Sequence, residues 1–323
     1  MLVSELRKEI SRYDNKELQE IIVELYKRVS KAKKEEYAID DFIKDVSKKQ
    51  AKKLEVQDFE TLKKEIVYFL NCVDAGYYEM PNKVISKKER SSWRFKVKRY
   101  YKELNAILPE TFDGANATEL LIEIFKRLSI GSNRLLFVNW DTFRALGVSQ
   151  TEYYDVIMKR ILSNNETEED LKKCIKLLDV LKDPYELSYG MFQIFISNLR
   201  TVNMKRKAIE FLKNNIVILI GKLKNAKNYH EKFVITENLN ENVECVVEIY
   251  CLLDEVEDGI DYYQKNYVES DHEVKEFILL EKLEELELIS EWVKEYEQHI
   301  DKIDYRDSLK DKYKEFTKKK TIF

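Results

Sequence analysis

Glycine and proline are scarce throughout this chain. Seven glycines and three prolines are spread over 323 residues. Strand-rich folds need turn-forming residues about every ten positions, and this sequence does not supply them. An apolar fraction of 44% is ample for a buried core at this length. The composition therefore predicts an all-α fold, with long helices joined by short polar connections.

Helix starts are marked by a capping residue followed three positions later by an acid. Such an acid can reach back to the free backbone N–H groups of the first turn. The pairing occurs at Asp14 with Glu17, Asn116 with Glu119, Ser149 with Glu152, Thr167 with Asp170, and Ser270 with Glu273. At helix ends, we expect Gly76, Gly131 and Gly147 to act as left-handed C-terminal caps, because each follows an apolar-periodic run.

These signals divide the sequence into two predicted regions, residues 1–110 and residues 111–323. The N-terminal region is expected to hold a helical hairpin over 2–31, a charged segment to 56, a helix over 57–75, a break at 76–82 and a basic helix over 86–107. We expect Pro109 and an Asp113-Gly114 turn to end the basic helix.

In the C-terminal region the helix starts become regular, at about residues 149, 167, 184 and 203. The run Lys173-Cys-Ile-Lys-Leu-Leu is similar to Lys207-Ala-Ile-Glu-Phe-Leu, 34 residues later, and Val246-Val-Glu-Ile-Tyr-Cys-Leu-Leu is a weaker copy. This period is typical of stacked helix pairs and favours an irregular α-helical repeat, similar to an α-α superhelix. A non-repetitive helical bundle remains the alternative.

Charge is distributed unevenly along the chain. The segment from Lys83 to Leu104 holds nine Lys or Arg against two Glu, a net charge of +7. Residues 241–304 hold 21 Asp or Glu against five Lys, a net charge of −16. On a helical projection of the basic segment, one face is expected to be buried: Trp93, Val97, Tyr100, Tyr101, Leu104 and Leu108. The remaining arc carries the candidate binding residues, here called the basic aromatic surface: Lys88, Arg94, Phe95, Lys98, Arg99 and Lys102.

Three interpretations of the basic aromatic surface are open at this point. The acidic helices of the same chain could neutralise it and cover Phe95. It could dock an acidic protein or peptide, with Arg94 and Phe95 as central anchors. Finally, it could bind nucleic acid, with its cations on phosphates and Phe95 stacked on an unpaired base. The acidic isoelectric point of about 5.8 weighs against nucleic acid.

Part of the N-terminal region resembles a family of uncharacterised all-helical bacterial proteins. The resemblance is carried by Tyr78-Glu-Met-Pro-Asn-Lys-Val-Ile-Ser-Lys-Lys-Glu-Arg-Ser-Ser-Trp-Arg-Phe-Lys-Val-Lys, together with Leu6-Arg-Lys-Glu-Ile and Lys16-Glu-Leu. It covers residues 1–105. The resemblance implies a helical bacterial cytoplasmic protein, and it assigns no activity and no functional residue.

Catalytic motifs are missing from the sequence. His230, His272 and His299 lie in polar contexts without metal-ligand spacing, and we expect all three at the surface. We interpret Glu269-Ser-Asp-His272 as a chance match to a carboxylate-metal motif, because a helix cap falls within it. The cysteines are expected to be small buried hydrophobes in a reducing compartment; they are Cys72, Cys174, Cys245 and Cys251. No catalytic residue, metal ligand or cofactor is therefore predicted.

The sequence as a whole predicts a non-catalytic cytoplasmic interaction or scaffold protein. Its expected partner is a protein or peptide bound on a helical-repeat surface. Nucleic-acid binding through residues 83–102 is the alternative, and a metal-dependent enzyme using acidic residues is a remote one. No signal-peptide core and no long apolar segment is present, so no membrane association is expected. The sequence carries no signal for an oligomeric state.

Overall fold

The computed structural model describes residues 9–36, 39–44, 58–138, 141–163, 167–180 and 189–320. Within these ranges every regular element is an α-helix, which confirms the predicted all-α fold. The helices are α1 (Asn15–Arg28), α2 (Lys31–Glu36), α3 (Ile39–Lys44), α4 (Phe59–Asp74), α5 (Lys87–Arg90), α6 (Trp93–Asn105), α7 (Phe112–Gly131), α8 (Thr142–Leu146), α9 (Gln150–Ile161), α10 (Glu168–Leu178), α11 (Gly190–Ser197), α12 (Val202–Asn225), α13 (Tyr229–Cys251), α14 (Val256–Asn266), α15 (His272–Glu285), α16 (Ile289–His299) and α17 (Asp307–Lys320).

The chain forms two compact units, residues 1–62 and residues 63–323. The boundary expected near residue 110 followed a change in charge and helix regularity. In the structure, residues 63–110 belong to the larger unit, since α6 packs against α7 and α8. A change in surface charge does not move a unit boundary, because buried apolar contacts decide which helices stay together.

The first unit holds short, exposed helices. Asp14 caps α1 and forms the predicted capping box with Glu17. Ile22 and Leu25 of α1 are exposed, and no residue of this helix is buried. Residues 2–8 of the predicted hairpin and residues 45–57 of the predicted charged segment lie outside the described residues. The segment contains two short helices, α2 and α3, in its described part.

Capping residues set most of the helix starts in the larger unit. Ser149 and Thr167 form the predicted capping boxes at α9 and α10. The starts predicted at Asn116 and Ser270 are wrong. α7 begins earlier, because the hydroxyl of Thr111 accepts the N–H of Gly114 and already satisfies the first turn. α15 is capped one residue later by Asp271.

Two glycines that the sequence pattern misassigned lie where a neighbouring group packs too close to leave room for a Cβ atom. Gly76 and Gly147 have positive φ angles of 72° and 80°, as predicted. Gly131 instead lies in α7 without a positive φ, and a Cβ there would come within 2.5 Å of the Phe137 ring. Gly114 lies in the first turn of α7 rather than in a separate Asp113-Gly114 turn, and a Cβ there would meet the carbonyl oxygen of Leu108 at 1.9 Å.

Helices two positions apart in the order pack together in the middle of the larger unit. α9 packs against α11, α10 against α12, and α11 against α13. The longest helices, α12 and α13, follow one another and pack along their length, and α14 packs onto α13. The starts predicted at 149, 167 and 203 correspond to α9, α10 and α12, whereas 184 lies outside the described residues. The helical repeat itself stays a prediction.

The four cysteines are free thiols. Cys174 and Cys245 are buried, while Cys72 and Cys251 are half-buried. Burial raises the pKa of the Cys174 thiol to about 12, so this group is protonated and inert as a nucleophile at neutral pH. Within the described ranges, none of the helices combines the length and the apolar content that a bilayer span requires.

Candidate functional site

Helix α6 is fixed on the protein by an aromatic face. Trp93, Val97, Tyr100 and Leu104 are buried, as the helical projection predicted. The Trp93 ring lies 4.3 Å from the ring of Phe137, centroid to centroid. The Tyr100 hydroxyl donates to Glu65 of α4 at 2.9 Å. This face holds α6 in one orientation and leaves the opposite side toward solvent.

Two residues of the projected buried face differ from expectation. Tyr101 is half-buried and lies against the Tyr153 ring, at 4.7 Å between centroids. Leu108 is 67% exposed. The projection assumed a helix to residue 107, but α6 ends at Asn105, so Leu108 is no longer in phase with the buried stripe.

The predicted basic helix is interrupted at two serines. α5 ends at Arg90 and α6 begins at Trp93. The hydroxyl of Ser91 donates to the Lys87 carbonyl at 2.7 Å, and that of Ser92 donates to the Glu89 carbonyl at 2.6 Å. Such side-chain bonds compete with the helical backbone ladder. Lys88 therefore stands on a separate short turn before α6.

All six residues of the basic aromatic surface are exposed. Phe95 is 65% exposed on the outer side of α6. The guanidinium carbon of Arg94 lies 4.8 Å from the centre of the Phe95 ring, within the range of a cation–π contact. The aromatic ring and its neighbouring cation thus stand together at the centre of the surface.

Only part of this positive charge is neutralised within the protein. Arg99 forms an ion pair with Glu65 of α4. Burial lowers the Arg99 pKa, but Glu65 and Glu103 outweigh that effect and the net shift is upward. Among the described residues, no ion pair forms at Lys88, Arg94, Lys98 or Lys102.

The acidic helices form their ion pairs with cations outside the basic aromatic surface. Lys312 of α17 contacts Glu281 and Glu284 of α15 at 2.7 and 2.5 Å. Arg306, just before α17, binds Glu273 at 2.6 Å. The ion pairs of the described acidic region therefore come from the basic end of the chain and from nearby helices, rather than from the basic aromatic surface.

A braced loop leads into α5. The side-chain oxygen of Asn82 accepts the N–H groups of Val84 and Ile85 at 2.9 and 3.0 Å. The guanidinium of Arg90 donates to the carbonyls of Glu79 and Ile85, both at 3.1 Å. Between this loop and the end of α4 lies an open cleft of about 380 Å³. These hydrogen bonds hold the loop that precedes α5, the helix that carries Lys88.

A second cluster of polar residues lies between α15 and α16, and sequence reasoning missed it. Glu276 and Glu295 are buried, and burial raises the pKa of the Glu276 carboxyl. His299, expected at the surface, is half-buried and faces both carboxylates. The available signal was the spacing of Glu295 and His299, four residues apart on one side of α16. His230 and His272 are exposed, as expected.

Comparisons with known proteins add no assignment. No family model matches the sequence, and neither a curated protein nor a solved structure matches it. The resemblance of residues 1–105 to an uncharacterised all-helical bacterial family stays a prediction.

Proposed function

We propose that this protein is a non-catalytic interaction protein, and that the basic aromatic surface binds an acidic segment of another protein. The observation that carries the proposal is Phe95, an exposed aromatic ring beside Arg94. Within the described part of the chain, Arg99 pairs with Glu65, whereas Lys88, Arg94, Lys98 and Lys102 form no ion pair. Aromatic and arginine side chains dominate the energetics of protein interfaces. Complementary charge on a partner would steer its approach and fix its register.

The two anchors contribute by different physical effects. Covering the Phe95 side chain would gain about 1.5–3 kcal/mol of hydrophobic free energy. Arg94 already lies over the Phe95 ring, so a carboxylate of the partner would meet a guanidinium whose position is restricted. Lys98 and Lys102, one and two turns further along α6, would pair with acids at helical spacing.

The framework of α6 supports recognition by a preformed surface. Trp93 and Tyr100 fix the helix from its buried side. A surface that does not reorganise on binding loses less conformational entropy. The packing of helices two positions apart supports an extended helical scaffold behind this surface, of the kind that helical-repeat proteins use for partner proteins in the cytoplasm.

The proposal is tested by fluorescence anisotropy with a labelled short peptide rich in Asp and Glu and containing Phe and Leu. We expect binding that weakens between about 0.1 and 1 M salt, because the ion pairs are solvent-exposed. The variant with Arg94→Glu, Phe95→Ser and Lys98→Glu should bind at least about tenfold more weakly. The matched control reverses two exposed lysines of α12, Lys222→Glu and Lys224→Glu, and should bind like the wild type.

Equal binding by the wild type and the triple variant would contradict the proposal. Nucleic acid is the second candidate, because an exposed aromatic ring among cations also suits base stacking. A labelled single-stranded oligonucleotide of matched charge is measured in parallel. If the oligonucleotide binds and the peptide does not, and Phe95→Ser abolishes that binding, the surface is a nucleic-acid site instead.

A further inference from the structure

Two buried carboxylates and one imidazole meet where α15 packs against α16. Glu276 and Glu295 are only 3% and 4% exposed. The Nδ1 atom of His299 lies 3.7 Å from Oε2 of Glu276 and 3.6 Å from Oε1 of Glu295. One ligand atom from each of the three residues lies within 4.8 Å of the others. Two buried carboxylates held this close repel each other unless positive charge lies between them.

The polar neighbours leave one carboxylate oxygen unsatisfied. The Gln264 amide of α14 donates to Oε1 of Glu276 at 2.5 Å and to Oε1 of Glu295 at 2.8 Å. The nearby cation Lys275 donates to the backbone carbonyl of Gln264 at 2.8 Å. Oε2 of Glu276 is fully buried and accepts no hydrogen bond from the described residues.

A second buried polar atom lies close to the same cluster. The hydroxyl of Tyr305 is buried and has no hydrogen-bond partner among the described residues. Burial raises the pKa of Tyr305, and the charges of Glu276 and Glu295 raise it further. A buried polar group without a partner costs free energy on the order of 1–3 kcal/mol, so it calls for an explanation.

The spacing of the three ligand atoms is close to that of a metal site. Bonds of about 2.0–2.2 Å to oxygen and nitrogen place neighbouring ligand atoms about 3.0–3.5 Å apart. The observed separations of 3.6 and 3.7 Å are slightly longer than that range. His299 Nδ1 also lies 3.3 Å from the backbone carbonyl oxygen of Glu295, a contact that metal binding would replace. Because Glu295 and His299 are four residues apart on α16, both already point to the same side of that helix.

We propose that Glu276, Glu295 and His299 bind one divalent transition-metal ion, with zinc as the best fit. An imidazole with two carboxylates suits zinc and its neighbours, whereas calcium and magnesium prefer oxygen ligands alone. The ion would satisfy Oε2 of Glu276 and relieve the repulsion between the carboxylates. Gln264 would act as a positioning residue that orients both carboxylates through their Oε1 atoms.

The partly exposed edge of His299 gives the ion a route from solvent. Binding would cross-link α15 and α16, which already pack against each other. Because a metal ion that binds only the folded state stabilises it, the proposal predicts a higher melting temperature in the presence of zinc. This site shares no residue with the basic aromatic surface, so each proposal can fail without the other.

The test uses the full chain, stripped with a chelator and then titrated with Co²⁺ and Zn²⁺. We expect one ion per chain, a visible Co²⁺ absorption band that Zn²⁺ displaces, and a rise in melting temperature with Zn²⁺. Glu276→Gln and His299→Ala should each abolish the band and the temperature shift. Gln264→Ala should weaken Zn²⁺ affinity by about 10–100-fold. The controls His230→Ala and His272→Ala remove exposed histidines and should bind like the wild type.

The Glu276→Gln variant keeps the side-chain shape and removes a buried charge, so it is expected to fold, which circular dichroism checks. A wild-type protein that takes up no stoichiometric Co²⁺ or Zn²⁺ would overturn the proposal. So would ion binding that survives in both Glu276→Gln and His299→Ala, or that is lost in His272→Ala.

Discussion

Gly114 and Gly221 differ only in what surrounds them. Both lie within helices, α7 and α12, and neither has a positive φ. At Gly114, a Cβ would lie 1.9 Å from the carbonyl oxygen of Leu108 and 2.7 Å from the Cα of Pro109. At Gly221, a Cβ would meet no atom within 4 Å. The same substitution should therefore have opposite effects at the two positions.

We predict that Gly114→Ala lowers the free energy of unfolding by about 2–3 kcal/mol, because backbone must shift to admit the methyl group. Gly221→Ala should raise it by about 0.5–1 kcal/mol, since alanine reduces the entropy lost on helix formation. Urea unfolding of both variants measures the difference. Equal effects at the two sites would show that the Leu108 contact is not restrictive.

Glu244 predicts a pH dependence of stability. Burial raises its pKa from 4.5 to about 7, Glu241 and two further glutamates add to the shift, and Lys282 opposes it. A carboxyl group whose pKa is higher in the folded than in the unfolded state destabilises the folded state at any pH where the unfolded chain ionises it. The free energy of unfolding should therefore fall as pH rises from about 4.5 to about 7, and it stays lower above that pH.

We expect Glu244→Gln to be more stable relative to wild type at about pH 8 than at about pH 5, by about 1–2 kcal/mol after allowance for solvent screening. Denaturant unfolding at the two pH values measures this. Glu210→Gln, at an exposed position on α12, is the control and should show no such difference. A difference of the same size in both variants would contradict the assignment to Glu244.

At the scale of elements, the sequence predicted the buried face of α6 but not its limits. Trp93, Val97, Tyr100 and Leu104 repeat at helical spacing, which is a local property that any helix preserves. The break between α5 and α6 at Ser91 depends on side-chain hydrogen bonds that compete with the helical backbone. The sequence does not show this break, because both helices are rich in Lys and Arg and read as one continuous basic helix. Periodicity also placed the candidate residues on one polar arc, whereas their exposure was left open until the structure was known.

Arg160 is the clearest polar link between elements. It is buried in α9, and its three guanidinium nitrogens donate to Thr118 Oγ1 at 3.0 Å, to the Ile107 carbonyl at 2.9 Å and to the Gly114 carbonyl at 3.2 Å. These bonds tie α9 to the start of α7 and to the connection before it. No local pattern predicts them, since the partners lie 42 to 53 residues away.

We predict that Arg160→Met lowers the free energy of unfolding by about 2–4 kcal/mol, because it leaves buried acceptors without donors. The neighbouring Lys159→Met is the matched control. Lys159 forms an exposed ion pair with Asp155 within the same helix, and its loss should cost at most about 0.5 kcal/mol. Similar effects from both variants would mean that the Arg160 hydrogen bonds contribute no more than a surface contact.

At the scale of the whole molecule, positive and negative charges are neutralised within some regions and left unpaired in others. The acidic helices are paired with the basic last helix, as Lys312 shows by contacting both Glu281 and Glu284. This arrangement leaves the basic aromatic surface with most of its charge, which is the basis of the proposed function. The chain total of −4 hides this separation, because it sums regions of opposite sign.

Reversing Lys312 to Glu should lower the free energy of unfolding by about 1–2 kcal/mol, because it would place a third carboxylate between Glu281 and Glu284. The loss should shrink in about 1 M salt, where exposed charges are screened. Lys318→Glu, at an exposed position of the same helix, is the control. A loss unchanged by salt would assign the effect to packing rather than to charge.

The sequence by itself determined the all-α fold, several helix starts and the cationic arc around Phe95, but not whether that arc is exposed. These features follow from scarce glycine and proline, from caps and from periodicity, all of which act within a few residues. Only the tertiary structure decided that Arg99 pairs with Glu65, that the acidic helices pair with α17, and that Glu276 meets His299. Such contacts join residues distant in sequence, and their geometry depends on how the helices pack rather than on how each one forms.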